Sequence, residues 1–132
     1  MPVYIDTSGI YALVDETDAN HEAAADAWLA LKDGTERLFS SSYVLLETVA
    51  LLQSRLGLEA VRALETTLVP LITVRWVDAD LHSRAIGALL TAGRRNLSLV
   101  DCVSFEVMRE MDLETVFAFD AHFAEQGFRL VS

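Results

Sequence analysis

Val3-Tyr4-Ile5-Asp6-Thr7-Ser8 is the stretch on which the reading of the fold turns. Three consecutive apolar, β-favouring residues predict a short strand buried on both faces, and the acid after them marks where the chain leaves the sheet. Thr7 and Ser8 then offer hydroxyls to cap a short helix over residues 10–14. The same order returns near the other end in Val116-Phe117-Ala118-Phe119-Asp120, an apolar run expected as a strand and closed by an aspartate. A single aspartate at a strand end is most often a turn former or a helix cap. Two of them on neighbouring strands bring like charges together, and then need a cation or a shared proton to coexist.

Between these ends, strands alternate with helices. Asp18 is placed to cap a helix whose apolar face is Ala24, Trp28 and Leu31 and which stops at Gly34. Leu38 and Phe39 suggest a second strand, and the serines at 40, 41 and 42 start a helix. In that helix Leu45, Val49, Leu52 and Leu56 recur at a helical period up to Gly57. A further helix over residues 58–68 closes at Pro70, a third strand covers residues 71–77, and a helix runs from Asp78 to about Leu90. Ser98 opens another helix with Val100, Val103, Val107 and Met111 on one side, and residues 128–131 form a last short strand. No repeat or Gly/Pro-rich linker divides residues 1–132. The expected fold is therefore one α/β domain of three α/β/α layers around a mostly parallel sheet of four or five strands. In such folds, ligands collect beyond the carboxyl ends of the strands, where strand order reverses.

Two further acids lie on helices. Glu47 is surrounded one turn away by Tyr43, Val44, Ala50 and Leu51, an environment in which a carboxylate is costly unless it is paired, metal-bound or swung out to solvent. Asp101 stands in Ser98-Leu99-Val100-Asp101, a capping-box pattern that by itself accounts for both Ser98 and Asp101. A first-turn acid also sits at the helix mouth, where it can reach a ligand. Arg94 and Arg95 bring positive charge just upstream, as substrate contacts or as ordinary solvated arginines.

The chain is 52% hydrophobic with a net charge of -10, enough apolar content for a packed core and an unusual balance for a protein that touches nucleic acid. Surplus acid either keeps a surface soluble or is gathered in one place and neutralised by cations. No apolar run approaches the roughly 20 residues of a membrane span, and no secretory leader is visible, so a cytoplasmic protein without membrane contact is expected. Cys102 is the only cysteine, which excludes an internal disulfide and fits a reducing compartment.

Taken together, an apolar strand followed by Asp6-Thr7-Ser8, a mid-chain helical Glu47, Leu97-Ser98-Leu99-Val100-Asp101, and Val116-Phe117-Ala118-Phe119-Asp120-Ala121-His122-Phe123 resemble the PIN-domain nucleases along essentially the whole chain. The chain's length resembles the VapC toxins of prokaryotic toxin–antitoxin pairs in particular. The resemblance implies that Asp6, Glu47, Asp101 and Asp120 form a pocket for Mg²⁺ or Mn²⁺, that Thr7 or Ser8 assists beside it, and that Ser98 orients its helix. It implies an RNA substrate, a protein antitoxin and a homodimer. Ala118 departs from the Thr or Ser that members often carry there, so one supporting hydrogen bond is missing. His122 is read as structural or exposed rather than as a general base, because nothing near it in sequence fixes its tautomer. Such a pocket needs no nucleophilic serine or catalytic histidine, because hard cations on oxygen ligands activate water and stabilise a leaving oxygen.

Three other readings compete. A haloacid-dehalogenase-type phosphotransferase carries a second Asp two residues after its strand-end Asp, where this chain has Ser8. A response-regulator receiver domain needs a late lysine, and the one lysine is Lys32. A catalytically idle PIN-like binding module is at odds with four intact acids.

Overall fold

In the computed structural model, which describes residues 1–34 and 36–131, the strands are β1 (Val3–Ile5), β2 (Leu38–Ser41), β3 (Ile72–Arg75), β4 (Thr115–Phe117) and β5 (Arg129–Val131). Among these residues the helices are α1 (Thr7–Val14), α2 (His21–Asp33), α3 (Ser42–Arg55), α4 (Leu58–Ala63), α5 (Ala79–Ala92), α6 (Leu99–Glu110) and α7 (His122–Glu125). The sheet is five-stranded in the order β3-β2-β1-β4-β5, and every pairing is parallel. Strand order reverses between β1 and β4, which are direct neighbours with Ile5 opposite Phe117.

The sheet explains its own composition. β1 and β4 are buried at every residue, whereas edge strands β3 and β5 are partly open, as expected when helices cover both faces at the centre. Side chains alternate across the pleat. Tyr4 reaches one face, where its hydroxyl donates to Ser104 on α6 at 2.9 Å. Phe117, in register with Ile5, reaches the other and meets Trp28 of α2 at 6.4 Å between rings. The two helical layers are thus α1–α3 on one side and α6 with α7 on the other, where Phe105 and Phe123 stack edge to face.

Helix boundaries differ from the local reading in instructive ways. α1 begins at Thr7, and its cap is Asp6, not Thr7 or Ser8, because the Asp6 carboxylate accepts the Ser8 N–H. Asp18 does not cap α2. It forms its own turn with Asn20 N–H at 2.8 Å, and α2 starts at His21. Of the three serines, Ser41 caps α3 while Ser40 stays in β2 and donates to Ile5 O at 2.7 Å. The helix expected over residues 58–68 is α4 continued by a π turn (Leu64–Leu68) and a 3-10 turn (Val69–Leu71) that contains Pro70. β4 ends at Phe117, so Asp120 stands beyond the strand instead of at its last residue.

Gly9 sets how closely α1 lies on the sheet. A Cβ there would sit 2.5 Å from Phe117 O and 2.8 Å from the Phe117 ring, so any side chain would push α1 off β4. That close approach brings the start of α1 and the exit from β4 together.

Candidate active site

Four elements meet at the switch point between β1 and β4. Asp6 caps α1 at the end of β1, and its carboxylate accepts Ser8 N–H at 3.1 Å and Ser8 Oγ–H at 2.7 Å. The Ser8 oxygen in turn accepts Phe119 N–H at 2.9 Å, which ties the exit of β4 to the cap of α1. Asp6 is buried, and burial lifts its pKa from 3.8 to about 7; the charges of Asp101 and Glu47 add to the rise and the Ser8 bonds oppose it.

Glu47 projects from the second turn of α3 and is half-buried. Its pKa is raised, chiefly by burial and then by Asp101 and Asp120, while the Thr7 hydroxyl beside it works the other way. Thr7 and Thr48 form a small buried support: Thr48 Oγ1–H donates within a cluster of Thr7 Oγ1 at 3.2 Å and Val44 O at 2.7 Å.

Asp101 closes a complete capping box at the start of α6, its carboxylate accepting Ser98 N–H at 3.1 Å while Asp101 N–H donates to Ser98 Oγ at 3.0 Å. Its pKa is raised by burial despite those bonds, with Asp120 adding to the rise. Asp120 accepts His122 N–H at 2.9 Å, which turns the chain into α7. The four acids lie close enough to repel one another: Asp6 feels Asp101 and Glu47, Glu47 feels Asp101 and Asp120, and Asp101 feels Asp120.

His122 was the side chain that local sequence could not place. Its Nδ1 lies 3.0 Å from Asp120 Oδ1 and 3.6 Å from Asp101 Oδ2, with the side chain only 15% exposed. The approach to Asp120 is close but not aligned as a hydrogen bond, and Nδ1 is buried without a hydrogen-bond partner among the described residues. Of the two expectations for this ring, an exposed position is therefore corrected: His122 is partly buried against the two acids. The signal available in sequence was its position two residues after a candidate acid.

Donor atoms of Asp101, Asp120 and His122 all lie within 4.8 Å of one another. With Asp6 and Glu47 alongside, the set is dominated by carboxylate oxygen, the chemistry that hard divalent cations require. His122 Nδ1, buried without a hydrogen-bond partner among the described residues, faces this set, and Asp6 is lifted to about 7 chiefly by burial, with the neighbouring acids adding to the rise.

A model of the PIN domain matches residues 3–129. The chain belongs to the PIN-domain family. It is 37% identical over 127 residues to proteins from two strains of Mycobacterium tuberculosis named 23S rRNA-specific endonuclease VapC20, with 96% of this chain and 95% of theirs covered. The crystal structure of Mycobacterium tuberculosis VapC20, described as a Sarcin-Ricin loop cleaving toxin, superposes with a TM-score of 0.85 over 96% of this chain and 95% of that one, at 35% identity. FitAcB from Neisseria gonorrhoeae has the same fold, at a TM-score of 0.68, 17% identity and 98% and 96% coverage. With a PIN domain shown, the phosphotransferase and receiver readings fall away.

Within this PIN domain the two arginines part company. Arg94 is held by Glu125 of α7 at 2.8 Å, whereas Arg95 is exposed in the turn before Ser98. Ala118 is fully buried in the core, and the tie at the β4 exit is carried instead by Ser8 through Phe119 N–H.

Proposed function

We propose that this PIN-domain protein is an endoribonuclease dependent on Mg²⁺ or Mn²⁺, with ribosomal RNA as its substrate class, acting as the toxin of a toxin–antitoxin pair in the cytoplasm. The observation that carries the reading is the convergence of Asp6, Glu47, Asp101 and Asp120 from four separate elements at the β1/β4 switch point. The relatives named as rRNA endonuclease and toxin support the substrate class and the biological role.

When bound, the cation supplies charge neutralisation, a lowered pKa for attacking water and stabilisation of the leaving oxygen. The protein's own part is to hold the oxygens in place. Asp6, Asp101 and Asp120 would provide the ligands; Ser8 locks the Asp6 carboxylate through its N–H and hydroxyl, and Ser98 N–H holds the Asp101 carboxylate while Asp101 N–H donates back to Ser98 Oγ. Thr7 ties the start of α1 to α3, the helix that carries Glu47, through Val44 O and Thr48. His122 lies against Asp101 and Asp120, where its ring nitrogen faces both carboxylates. Arg95 contacts substrate phosphate, and Arg94 joins it on leaving Glu125.

An antitoxin and a second copy of the chain are the proposed protein partners. Exposed Leu58, Trp76 and Leu90 offer apolar surface for them. No described helix is long and apolar enough to cross a membrane.

The test is a cleavage assay on total RNA with Mg²⁺, Mn²⁺ or EDTA, using protein freed of any co-purified antitoxin. Metal-dependent cuts that vanish in Asp101→Asn and Asp120→Asn support the reading. Equal cutting by those variants, or by wild type in EDTA, sinks it.

A further inference from the structure

A recess of about 330 Å³ opens beside Glu47, walled by Tyr43, Leu46 and Ala50 of α3, His82 of α5, and Leu99 and Val100 of α6. Two of its walls are continuous with the acidic pocket: Glu47 belongs to both, and Val100 immediately precedes Asp101. Its volume lies at the low end of the ~300–1,000 Å³ typical of small-molecule sites. Apart from Glu47 at its junction with the acidic pocket, the lining is apolar except for one polar pair, Tyr43 and His82.

That pair is built. Tyr43 Oη lies 2.5 Å from His82 Nδ1, and the rings meet edge to face at 5.8 Å and 75°. The hydroxyl and the ring nitrogen are within hydrogen-bond distance, so the pair forms one polar unit, its donor set by the imidazole tautomer. An apolar slot bordered by two aromatic rings, with a polar hydroxyl–imidazole pair at one wall, suits a planar heterocycle. Leu46 is 68% exposed at the mouth, so the slot opens to solvent.

Charge gives the slot a purpose. The chain carries -10 overall, and Arg62, Arg75, Arg84, Arg94 and Arg129 are each within ion-pair distance of a carboxylate. Phosphate neutralisation, the usual source of affinity for nucleic acid, is thus in short supply. Contact with an unstacked base supplies affinity that does not depend on cations.

We propose that the Tyr43–His82 recess receives an unpaired nucleobase next to the cleaved phosphodiester, and so helps to set which nucleotide flanks the cut. The proposal rests on the ribonuclease reading above. An apolar side chain of a protein partner is the competing occupant, but it explains neither the slot's junction with Glu47 nor the polar pair.

The test uses an RNA oligonucleotide spanning a site that the wild type cuts, together with versions carrying a single abasic nucleotide at each of the two positions on either side. Tyr43→Ala and Ala50→Phe are compared with wild type; Ala50 is exposed, so the added ring fills the recess without burdening the core. Both variants are expected to raise KM about tenfold with kcat within threefold. One abasic position should raise KM for wild type by a similar factor, yet add little in either variant. Thermal unfolding confirms that each variant is folded, and Ala50→Phe carries the test if Tyr43→Ala is not. Wild-type cutting that ignores every abasic position, or abasic and recess effects that multiply in full, overturns the proposal while leaving the nuclease reading intact. Unchanged RNA kinetics with weakened retention of a co-expressed antitoxin assigns the recess to the protein partner and likewise overturns it. A wild type that cuts no RNA with either metal removes both readings together.

Discussion

Asp6 and Asp78 occupy the same kind of position and end with opposite chemistry. Each follows a strand, caps the helix after it, and accepts a backbone N–H from that helix's first turn, from Ser8 and from Leu81 respectively. At Asp78 the Leu81 N–H, with Arg75 and Arg84 nearby, holds the carboxyl below its ordinary range. At Asp6 burial overrides two hydrogen bonds and lifts the carboxyl to about 7, with Asp101 and Glu47 repelling the charged form. A cap is a local motif, but the charge state of a cap is a property of what surrounds it. Where the surroundings are water and arginine the acid stabilises a helix. Where they are apolar packing and other acids, it becomes a site in need of a cation.

The sharpest way to break this contrast is to remove charge at each end. Asp101→Asn or Asp120→Asn should reduce metal-dependent RNA cleavage by on the order of 100-fold or more, the scale of losing one preorganised electrostatic group. Asp78→Asn should leave the rate within about twofold, since Asn caps a helix as well as Asp does. Comparable losses at Asp78 and Asp101 would mean that the assay reports folding rather than the site.

Metal addition probes the same difference through stability. Mg²⁺ or Mn²⁺ at saturating concentration should raise the melting temperature of the wild type by on the order of 5–10 °C through binding to the folded state alone. Asp6→Asn should match or exceed the metal-free wild type in stability and lose most of that gain. An equal gain in wild type and Asp6→Asn would place the cation elsewhere.

In the metal-free protein, pH should separate the two caps. Asp6 titrates at about 7 in the folded chain and near 3.8 when unfolded, so between those values the folded state holds a proton that the unfolded chain has released. Its contribution is complete below the unfolded value and is lost as pH rises towards the folded one. Thermal melts in EDTA should therefore fall by roughly 5 °C between pH 5 and pH 8, and Asp6→Asn should flatten the fall. The Asp78 carboxyl, held low, acts with the opposite sign: its contribution is present above the unfolded pKa and fades as pH drops through the folded one. A wild-type slope that survives in Asp6→Asn would assign the titration to another group.

Backbone approach should give an effect of similar or smaller size. Gly9→Ala drives a Cβ into Phe117 O and its ring and should cost about 1–3 kcal/mol in denaturant unfolding. Asp78→Ala, which removes an ordinary cap, should cost about 1 kcal/mol. If Gly9→Ala were neutral, α1 would be free to shift, and the alignment of Asp6 with the β4 exit would not depend on that contact.

What the sequence determined by itself were the features that rest on short-range chemistry. The apolar run Val3-Tyr4-Ile5, the alternation of strand and helix, the Ser98–Asp101 capping box and the stop at Gly57, where φ is +95°, all follow from hydrogen bonds and torsions within a few residues. The motif order along the chain was enough to recognise the family. Tertiary structure alone decided that β1 and β4 are neighbours, that Asp6 rather than Thr7 or Ser8 is the cap, and that Asp120 lies past its strand. It also turned His122 inward against two acids and bound Arg94 to Glu125. The physical reason is range. Burial and Coulomb fields sum over groups far apart in sequence, as when Phe119 N–H reaches Ser8 Oγ across 111 positions, and no local pattern carries that sum.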